Sequence, residues 1–249
     1  MGPSSDAVTI PILPGSPPEL VVYDKPGPCP YLDGRVARLP LRLPTRELSR
    51  EELDDRLLAG DRRQGYVLYR TACPACHACE PIRVDVTRFS PDRSQRRAFV
   101  RGQQMFDVEI GVPVVDSRRV ALYNLHKRER GLGDGQPPID TEGYREFLVS
   151  SCCDSFEIRY RIDGELVAVA LSDRGQNALS AVYCYYDPAF ERASPGTFSI
   201  MKQVELCRNW GLRFLYLGLY ITDCDAMQYK ARYLPHERLI DGSWRRFER

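Results

Sequence analysis

The stretch FEIRYRIDGELVAVAL, Phe156–Leu171, decides the fold of the second half of the chain. Apolar and polar residues alternate from Phe156 to Ile162, which is typical of a strand with one buried face. Asp163-Gly164 is a residue pair that a two-residue hairpin turn favours, because both turn positions need a positive φ. Leu166–Leu171 continues as the partner strand, so the stretch predicts an antiparallel β-hairpin.

The sequence after this hairpin predicts three further strands, the last of them short, and two helices. Three antiparallel strands followed by a helical crossover into a fourth strand are the order expected of the GNAT acyltransferase fold. The predicted segments are the strand Ala178–Tyr186, the loop Asp187–Gly196, the helix Thr197–Trp210, the strand Arg213–Tyr220, the helix Asp223–Tyr233 and a short strand Arg238–Ile240.

The first half predicts a smaller unit of mixed helices and strands. Ser49 and Glu52 have the spacing of a capping box, so a helix begins beside them and ends before Gly60. The other predicted segments are an edge strand within Tyr31–Leu43, strands at Gly65–Arg70 and Ile82–Val86, and helices from Asp92 or Ser94 to Gly102, from Ser117 to Arg130 and from Asp140 or Thr141.

The predicted fold class is therefore α+β, with a GNAT-like acyltransferase sheet in the C-terminal half and a cysteine-containing N-terminal α+β subdomain. Residues 1–28 hold seven prolines without periodicity, which predicts a flexible proline-rich leader. We place the N-terminal cysteine-containing domain at residues 29–115 and the C-terminal GNAT-like domain at residues 116–249.

Length and composition indicate a folded, water-soluble protein. The 249 residues suit one large domain or two small ones, and 43% hydrophobic with 28% charged residues excludes a disordered or collagen-like chain. No apolar run approaches the roughly 18 residues of a membrane span, and the first residues lack the pattern of a secretory signal. We therefore expect a cytoplasmic protein without a membrane partner.

The charged residues are unevenly distributed. A net charge of +1 excludes a globally basic nucleic-acid binder. However, six arginines lie between Arg83 and Arg101 against only Asp85 and Asp92, and this segment predicts a local basic patch.

The cysteines point to a metal site or to buried free thiols. Nine cysteines are an odd number, and a reducing compartment disfavours disulfides. Cys73, Cys76 and Cys79 have C-x-x-C-x-x-C spacing, which lets thiolates converge on zinc or on an iron–sulfur cluster. Cys29 is the candidate fourth ligand, with His77 or the Cys152-Cys153 pair as the other options.

Four motifs together resemble the arginyl/leucyl-tRNA–protein transferases. The resemblance covers the chain from about Cys29 to Trp244. The motifs are Cys29-Pro30-Tyr31-Leu32, Tyr69-Arg70 with the cysteine triplet and Pro81-Ile82-Arg83, Phe89-x-Pro91-x-Arg93-Ser94-Gln95-Arg96-Arg97, and the segment from Tyr216-Leu217-Gly218 through Tyr229-Lys230 to Glu237.

The resemblance implies an enzyme that moves an amino acid from a charged tRNA to the amino terminus of a protein and thereby marks that protein for N-degron degradation. Similarity in length to the bacterial branch implies leucine transfer to amino-terminal aspartate or glutamate, with arginine as the less favoured donor. The eukaryotic branch implies a metal or iron–sulfur site. This chain departs from that branch because Leu32 stands where a second cysteine is expected, and its second motif is a spaced triplet.

Aminoacyl transfer starts from an activated ester, so positioning and charge stabilisation suffice and no cofactor is required for the chemistry. The acceptor carboxylate needs a cation, for which Arg93, Arg96 and Arg97 in and beside the motif that contains Gln95 are the candidates; they could equally bind tRNA phosphates. Tyr229 and Lys230 are the candidate catalytic residues, because they follow the strand that ends at Tyr220.

The start of the helix after the third strand is a candidate site for the terminal adenosine of tRNA. Gly196 and Thr197 offer their backbone there. Pro195 lacks the amide hydrogen that a CoA pyrophosphate would need, so a CoA-dependent GNAT acetyltransferase is a less favoured alternative. A non-catalytic metal-thiolate module that binds RNA is another, although it leaves the second half of the chain without a role.

Overall fold

The predicted hairpin forms two long strands of a mixed eight-stranded sheet in a computed structural model, which describes residues 10–132 and 136–248. Asp163 and Gly164 have φ values of 50° and 82°, which confirms the turn. The strands are β1 (Ile12–Leu13), β2 (Glu19–Tyr23), β3 (Pro26–Pro28), β4 (Val36–Arg38), β5 (Leu41–Pro44), β6 (Arg62–Gln64), β7 (Val67–Tyr69), β8 (Glu80–Asp85), β9 (Asp107–Gly111), β10 (Ser155–Ile162), β11 (Glu165–Arg174), β12 (Ala178–Tyr186), β13 (Phe214–Tyr220), β14 (His236–Ile240) and β15 (Ser243–Phe247).

Six α-helices are found in the described ranges. They are α1 (Arg50–Leu58), α2 (Arg93–Met105), α3 (Ser117–Glu129), α4 (Thr141–Tyr144), α5 (Pro195–Asn209) and α6 (Asp225–Gln228). The predicted capping box of α1 is confirmed, since Ser49 and Glu52 each bond the backbone of the other. Within these same ranges, no helix combines the length and the apolar character that crossing a bilayer requires.

The large sheet has the order β15-β14-β8-β13-β12-β11-β10-β9. Every neighbouring pair is antiparallel except β12 and β13, which run parallel because α5 crosses over between them. The protein is therefore a mixed α+β fold built around one large mixed sheet. A second sheet, β1-β2-β5-β7-β6, comes entirely from the first half of the chain.

Helices cover both faces of the large sheet. Successive residues of β11 point to opposite faces, so Ala168 and Ala170 enter the hydrophobic core beneath α5, whereas Val169 and Leu171 join the aromatic cluster beneath α3 and α4. Helix α2 lies against α5 at Gly102, where a Cβ atom would come within 2.2 Å of the Phe198 ring. This close approach fixes α2 beside the start of α5.

The large sheet crosses the predicted division at residue 115. Strand β8 comes from the predicted N-terminal domain, yet it lies between β13 and β14 of the C-terminal half. The pairing Phe214↔Asp85 is one of its links to β13. The division into two domains stays a prediction, and any division at residue 115 would cut through this sheet.

The structure differs from the sequence prediction at both ends of the chain. Residues 1–9 lie outside the described range, but β1, β2 and β3 occupy much of the rest of the predicted flexible leader. Glu19 on β2 is buried and pairs with Arg42 and Arg56, so polar contacts hold a segment that has no hydrophobic periodicity. Near the other end, the single predicted helix Asp223–Tyr233 is wrong: α6 is followed by a separate 3₁₀ turn, Tyr229–Arg232.

Candidate active site

The parallel strands β12 and β13 separate after three paired residues. Their pairing runs from Ala178↔Phe214 to Ser180↔Tyr216 and then ends, although β12 continues to Tyr186 and β13 to Tyr220. We call this point the strand fork and define it by Ser180 and Ala181 on β12 and by Tyr216 and Gly218 on β13. Parallel strands that part in this way expose main-chain groups that a ligand or a side chain can reach.

The guanidinium group of Arg62 occupies the strand fork. Its Nη1 atom donates to Ser180 Oγ at 3.3 Å, and its Nη2 atom donates to the Ala181 carbonyl oxygen at 3.1 Å. On the β13 side of the guanidinium group lies Gly218, whose φ is +85°. A Cβ atom at this position would be 3.1 Å from Nη2 of Arg62. Glycine is needed here because the backbone is left-handed and because the arginine packs closely against it.

The neighbours of Arg62 in sequence explain why it has no carboxylate partner among the described residues. Asp61 is buried and accepts hydrogen bonds from Arg42 and Arg70 instead. Arg63 points the other way and forms a bidentate pair with Asp173, with N–O distances of 2.8 and 2.9 Å. These buried contacts hold β6 in place and leave Arg62, which is half-buried, facing the fork.

Lys230 lies beside the fork, on the 3₁₀ turn after α6. It is only 7% exposed, and its Nζ atom donates to the Leu219 carbonyl oxygen of β13 at 2.6 Å. Burial, followed by the positive charge of Arg62, lowers the pKa of this amine to about 7. A lysine with such a pKa is present in both protonation states near neutral pH, so it can accept or donate a proton.

Tyr229, the other predicted catalytic residue, precedes Lys230 on the same turn and is 42% exposed. Tyr229 is therefore more open to solvent than Lys230, although burial still raises the pKa of its phenol group to about 12. The turn thus presents two polar groups with different access to water.

The start of α5 lies at the same end of the sheet. Ser194 precedes it with φ +58° and provides no side-chain cap, and Pro195 is its first residue. A Cβ atom on Gly196 would lie 3.8 Å from the ring of Tyr186, the last residue of β12. The Thr197 side chain is hydrogen-bonded to Tyr233. The backbone of Gly196 and Thr197 therefore borders the region that also holds Lys230.

Helix α2 presents a separate basic surface, which we call the α2 face: Arg93, Arg96, Arg97 and Arg101 are all exposed. Arg96 and Arg101 donate to the main-chain carbonyl groups of Pro91 and Arg192. A depression of about 410 Å³ is lined by Arg96, Arg97, Val100, Arg101 and Gln104. The arrangement suits an extended anionic ligand.

Gln95, predicted with these arginines as a substrate contact, is buried and has structural partners. Its Oε1 atom accepts from the Asp92 amide at 2.9 Å, and its Nε2 atom donates to the Arg232 carbonyl oxygen at 3.1 Å. These bonds close the start of α2 and connect it to the turn that holds Lys230. They favour a positioning role, while a direct substrate contact stays a prediction.

Of the four cysteines predicted to bind metal, Cys79 lies close enough to the other three for their charges to affect its ionisation. Burial, and then the neighbouring Cys73, Cys29, Cys76 and Cys224, raise the pKa of the Cys79 thiol to about 12. The sequence did not indicate Cys224 as a member of this group. All of them are half-buried and free of disulfides.

Thiols are suitable ligands for zinc or an iron–sulfur cluster, but their positions do not complete a site. Within residues 10–132 and 136–248, no three Cys, His, Asp or Glu side chains are grouped so that they could hold a metal ion. The metal site at Cys29, Cys73, Cys76 and Cys79 therefore stays a prediction. Its check is the bound metal of a Cys73→Ser variant against that of a Cys184→Ser variant.

The chain matches known proteins along most of its length. The family model described as Arginine-tRNA-protein transferase, N terminus, matches residues 27–97, and the one described as Arginine-tRNA-protein transferase, C terminus, matches residues 118–240. An aspartate/glutamate leucyltransferase of Chromobacterium violaceum is 38% identical over 219 residues, which are 88% of this chain and 90% of that protein. One of Thiobacillus denitrificans is 38% identical over 220 residues, 88% of this chain and 91% of that protein.

The chain therefore belongs to the arginine-tRNA–protein transferase family, and the resemblance found in its motifs is confirmed. Among solved structures, it is similar to a crystal structure of FemX, with a TM-score of 0.47 and 10% identity over 85% of this chain and 84% of that one. This likeness is distant.

Arg62 is the residue of this region that the sequence prediction missed. It lies outside the basic segment Arg83–Arg101, between an acidic residue and another arginine, so local charge counting gives no signal. Gly218 gave an indirect signal, because an isolated glycine inside an apolar strand often marks a bulge or a close approach by another group. The strand does shift its register between Tyr216 and Leu219.

Proposed function

We propose that the protein transfers leucine from leucyl-tRNA to the amino-terminal aspartate or glutamate of other proteins. The observation that carries this proposal is the match to aspartate/glutamate leucyltransferases over about nine tenths of their length. Charged tRNA and an acidic protein amino terminus are the two substrates. Arginine as the donor residue is the less favoured reading, because it rests only on the family description.

The strand fork supports a GNAT-like site for acyl transfer. Two parallel strands that part beside the start of a crossover helix leave main-chain groups of both strands accessible next to that helix. Pro195 at the first position of α5 removes one of the amides that would bind a CoA pyrophosphate, which favours tRNA over CoA as the donor. We propose that the terminal adenosine of tRNA lies against Gly196 and Thr197.

Lys230 is the group best placed to move the proton in this reaction. The acceptor α-amine attacks the ester carbonyl carbon, so a C–N bond forms and the ester C–O bond breaks. Neutral Lys230 accepts the proton that the amine loses, and the departing 3′ oxygen of the tRNA takes up a proton. A base with a pKa near the working pH suits both halves of this exchange.

The α2 face supports the binding of the tRNA body. Exposed arginines on one helix neutralise phosphates without reading sequence, which is the first requirement for holding a large polyanion. We propose that transfer takes place in the cytoplasm and marks acidic amino termini for the N-degron route.

Transfer assays test this function directly. The purified protein is mixed with leucyl- or arginyl-tRNA, labelled in the amino acid, and with peptides that begin with Asp, Glu or Ala. We expect leucine on the Asp and Glu peptides alone. Equal transfer to the Ala peptide would contradict the acceptor specificity, arginine transfer would correct the donor, and no transfer from either tRNA would contradict the proposal.

A further inference from the structure

Arg62 has the donors that a carboxylate needs and no carboxylate of its own. A guanidinium group has five N–H donors. The contacts with Ser180 Oγ and the Ala181 carbonyl oxygen occupy two of them. No acidic side chain within the described ranges forms an ion pair with it, whereas Asp61, next to it in sequence, already accepts from Arg42 and Arg70.

The position of Arg62 is fixed before any ligand arrives. Arg63 anchors β6 to β11 through its buried pair with Asp173, and the Arg62 side chain is held between β12 and the backbone of Gly218. A guanidinium group restrained in this way loses little freedom when it forms a bidentate pair, which favours affinity and selectivity.

The site combines two basic side chains, Arg62 and Lys230, and no acidic side chain within the described ranges pairs with either of them. Arg62 and Lys230 are close enough for the charge of one to affect the ionisation of the other. An anion bound at Arg62 would offset this repulsion. The carboxylate carbon of an amino-terminal aspartate is separated from its α-amine only by Cα and Cβ, so a carboxylate at Arg62 brings the reacting nitrogen toward Lys230.

We propose that Arg62 is the specificity residue that binds the side-chain carboxylate of the acceptor's amino-terminal aspartate or glutamate. The assignment rests on the proposed function and replaces the exposed Arg93, Arg96 and Arg97 in that role. Those three are exposed on the α2 face, and within the described ranges none of them is hydrogen-bonded to the strand fork or to Lys230. An acceptor that begins with Asn or Gln lacks the charge that pairs with Arg62, so it binds less well.

The test compares peptides that differ only in having Asp or Asn at the first position. The enzymes are the wild type, Arg62→Gln, Arg62→Lys and, as a control, Arg128→Gln, whose side chain is 70% exposed and pairs with Glu129. For Arg62→Gln we expect KM for the Asp peptide to rise about 30-fold, as the loss of a charged hydrogen-bonded pair implies. The preference for Asp over Asn falls in proportion, while kcat and the affinity for leucyl-tRNA change little.

Arg62→Lys keeps the charge but loses the planar pair of donors, so we expect an intermediate KM, and it replaces Arg62→Gln if that variant does not fold. An unchanged KM for the Asp peptide would overturn the assignment. So would a parallel loss of tRNA affinity, which would place a phosphate at Arg62, or a fall in kcat alone, which would place the ester there. Failure of the proposed function looks different, because the wild type itself would then transfer leucine to neither peptide.

Discussion

The strand fork and the α2 face both carry basic side chains, but those at the fork are enclosed, whereas those on the α2 face are exposed to water. On the α2 face, Arg93, Arg96 and Arg97 are exposed to water. At the fork, Lys230 is 7% exposed, and Arg62 is held between two strands. Exposed charges are screened by salt and hold a ligand loosely, whereas enclosed charges act over short distances and select one geometry. This difference supports the proposal that the tRNA body binds the α2 face and that the chemistry takes place at the fork.

The largest effect is expected when the amine at the fork is removed. Lys230→Met eliminates the group proposed to accept the proton of the acceptor amine, and general base catalysis contributes roughly 100-fold or more. We expect the single-turnover rate of leucine transfer to fall by about that factor. Lys25→Met, at an exposed position, is the control, and a normal rate in Lys230→Met would remove Lys230 from the mechanism.

Lys230 also makes the stability of the fold depend on pH. Its pKa is lowered to about 7 in the folded protein, from an ordinary value of 10.5. Between these pH values the unfolded chain holds one more proton at this position, so the free energy of unfolding rises with pH. The full free-energy cost of burying the charged amine applies below pH 7, and this cost falls as the pH rises toward 10.5.

Chemical denaturation at pH 7 and at pH 9 checks this linkage. The contribution of Lys230 to the free energy of unfolding should rise by about 2–3 kcal/mol over these two pH units. We expect Lys230→Met to lack this rise, so that its stability relative to the wild type is greatest at the lower pH. The same pH dependence in both proteins would show that Lys230 is not buried as described.

A smaller effect is expected on the α2 face. In the double variant Arg96→Gln/Arg97→Gln, two phosphate contacts are lost, and we expect the affinity for leucyl-tRNA to fall about 10-fold, with a shallower dependence on salt. Arg145→Gln, which removes an exposed arginine that pairs with Glu142, is the control. A larger loss of affinity for Asp peptides than for leucyl-tRNA would reverse the assignment of the two surfaces.

The smallest effect separates backbone strain from contact with Arg62. Gly218 and Gly211 have φ values of +85° and +69°. Of these two glycines, only Gly218 has a neighbour, Arg62, within 4 Å of the place that a Cβ atom would take. Each substitution by alanine should cost about 1 kcal/mol of stability through the left-handed backbone. Only Gly218→Ala should also raise KM for the Asp peptide, and an equal KM in both variants would separate Gly218 from the acceptor site.

The sequence predicted the parts of the fold that local chemistry determines. Asp163-Gly164 gave the hairpin of β10 and β11, and Ser49 with Glu52 gave the start of α1. The same turn chemistry at Asp241-Gly242, with φ values of 50° and 75°, joins β14 to β15, but β15 was missed because its charged residues hide the alternation. The missed β9 is another polar strand, at the edge of the sheet.

Long-range contacts set the limit of prediction at the candidate site. Lys230 was predicted from its place after a strand, yet its burial depends on the carbonyl group of Leu219. Arg62 reaches Ser180 across more than a hundred residues, and no spacing in the sequence encodes that contact. The insertion of β8 between β13 and β14 is equally non-local, which is why a division at residue 115 was reasonable from sequence alone.

The separation of chemistry from tRNA binding is tested most directly by measuring leucyl-tRNA affinity and the single-turnover transfer rate side by side in Lys230→Met and in Arg96→Gln/Arg97→Gln. We predict a slow rate with unchanged affinity in the first variant. In the second, we predict weakened affinity with an unchanged rate at saturating tRNA. If affinity and rate fell together in both variants, the separation of chemistry at the fork from tRNA binding at the α2 face would be contradicted.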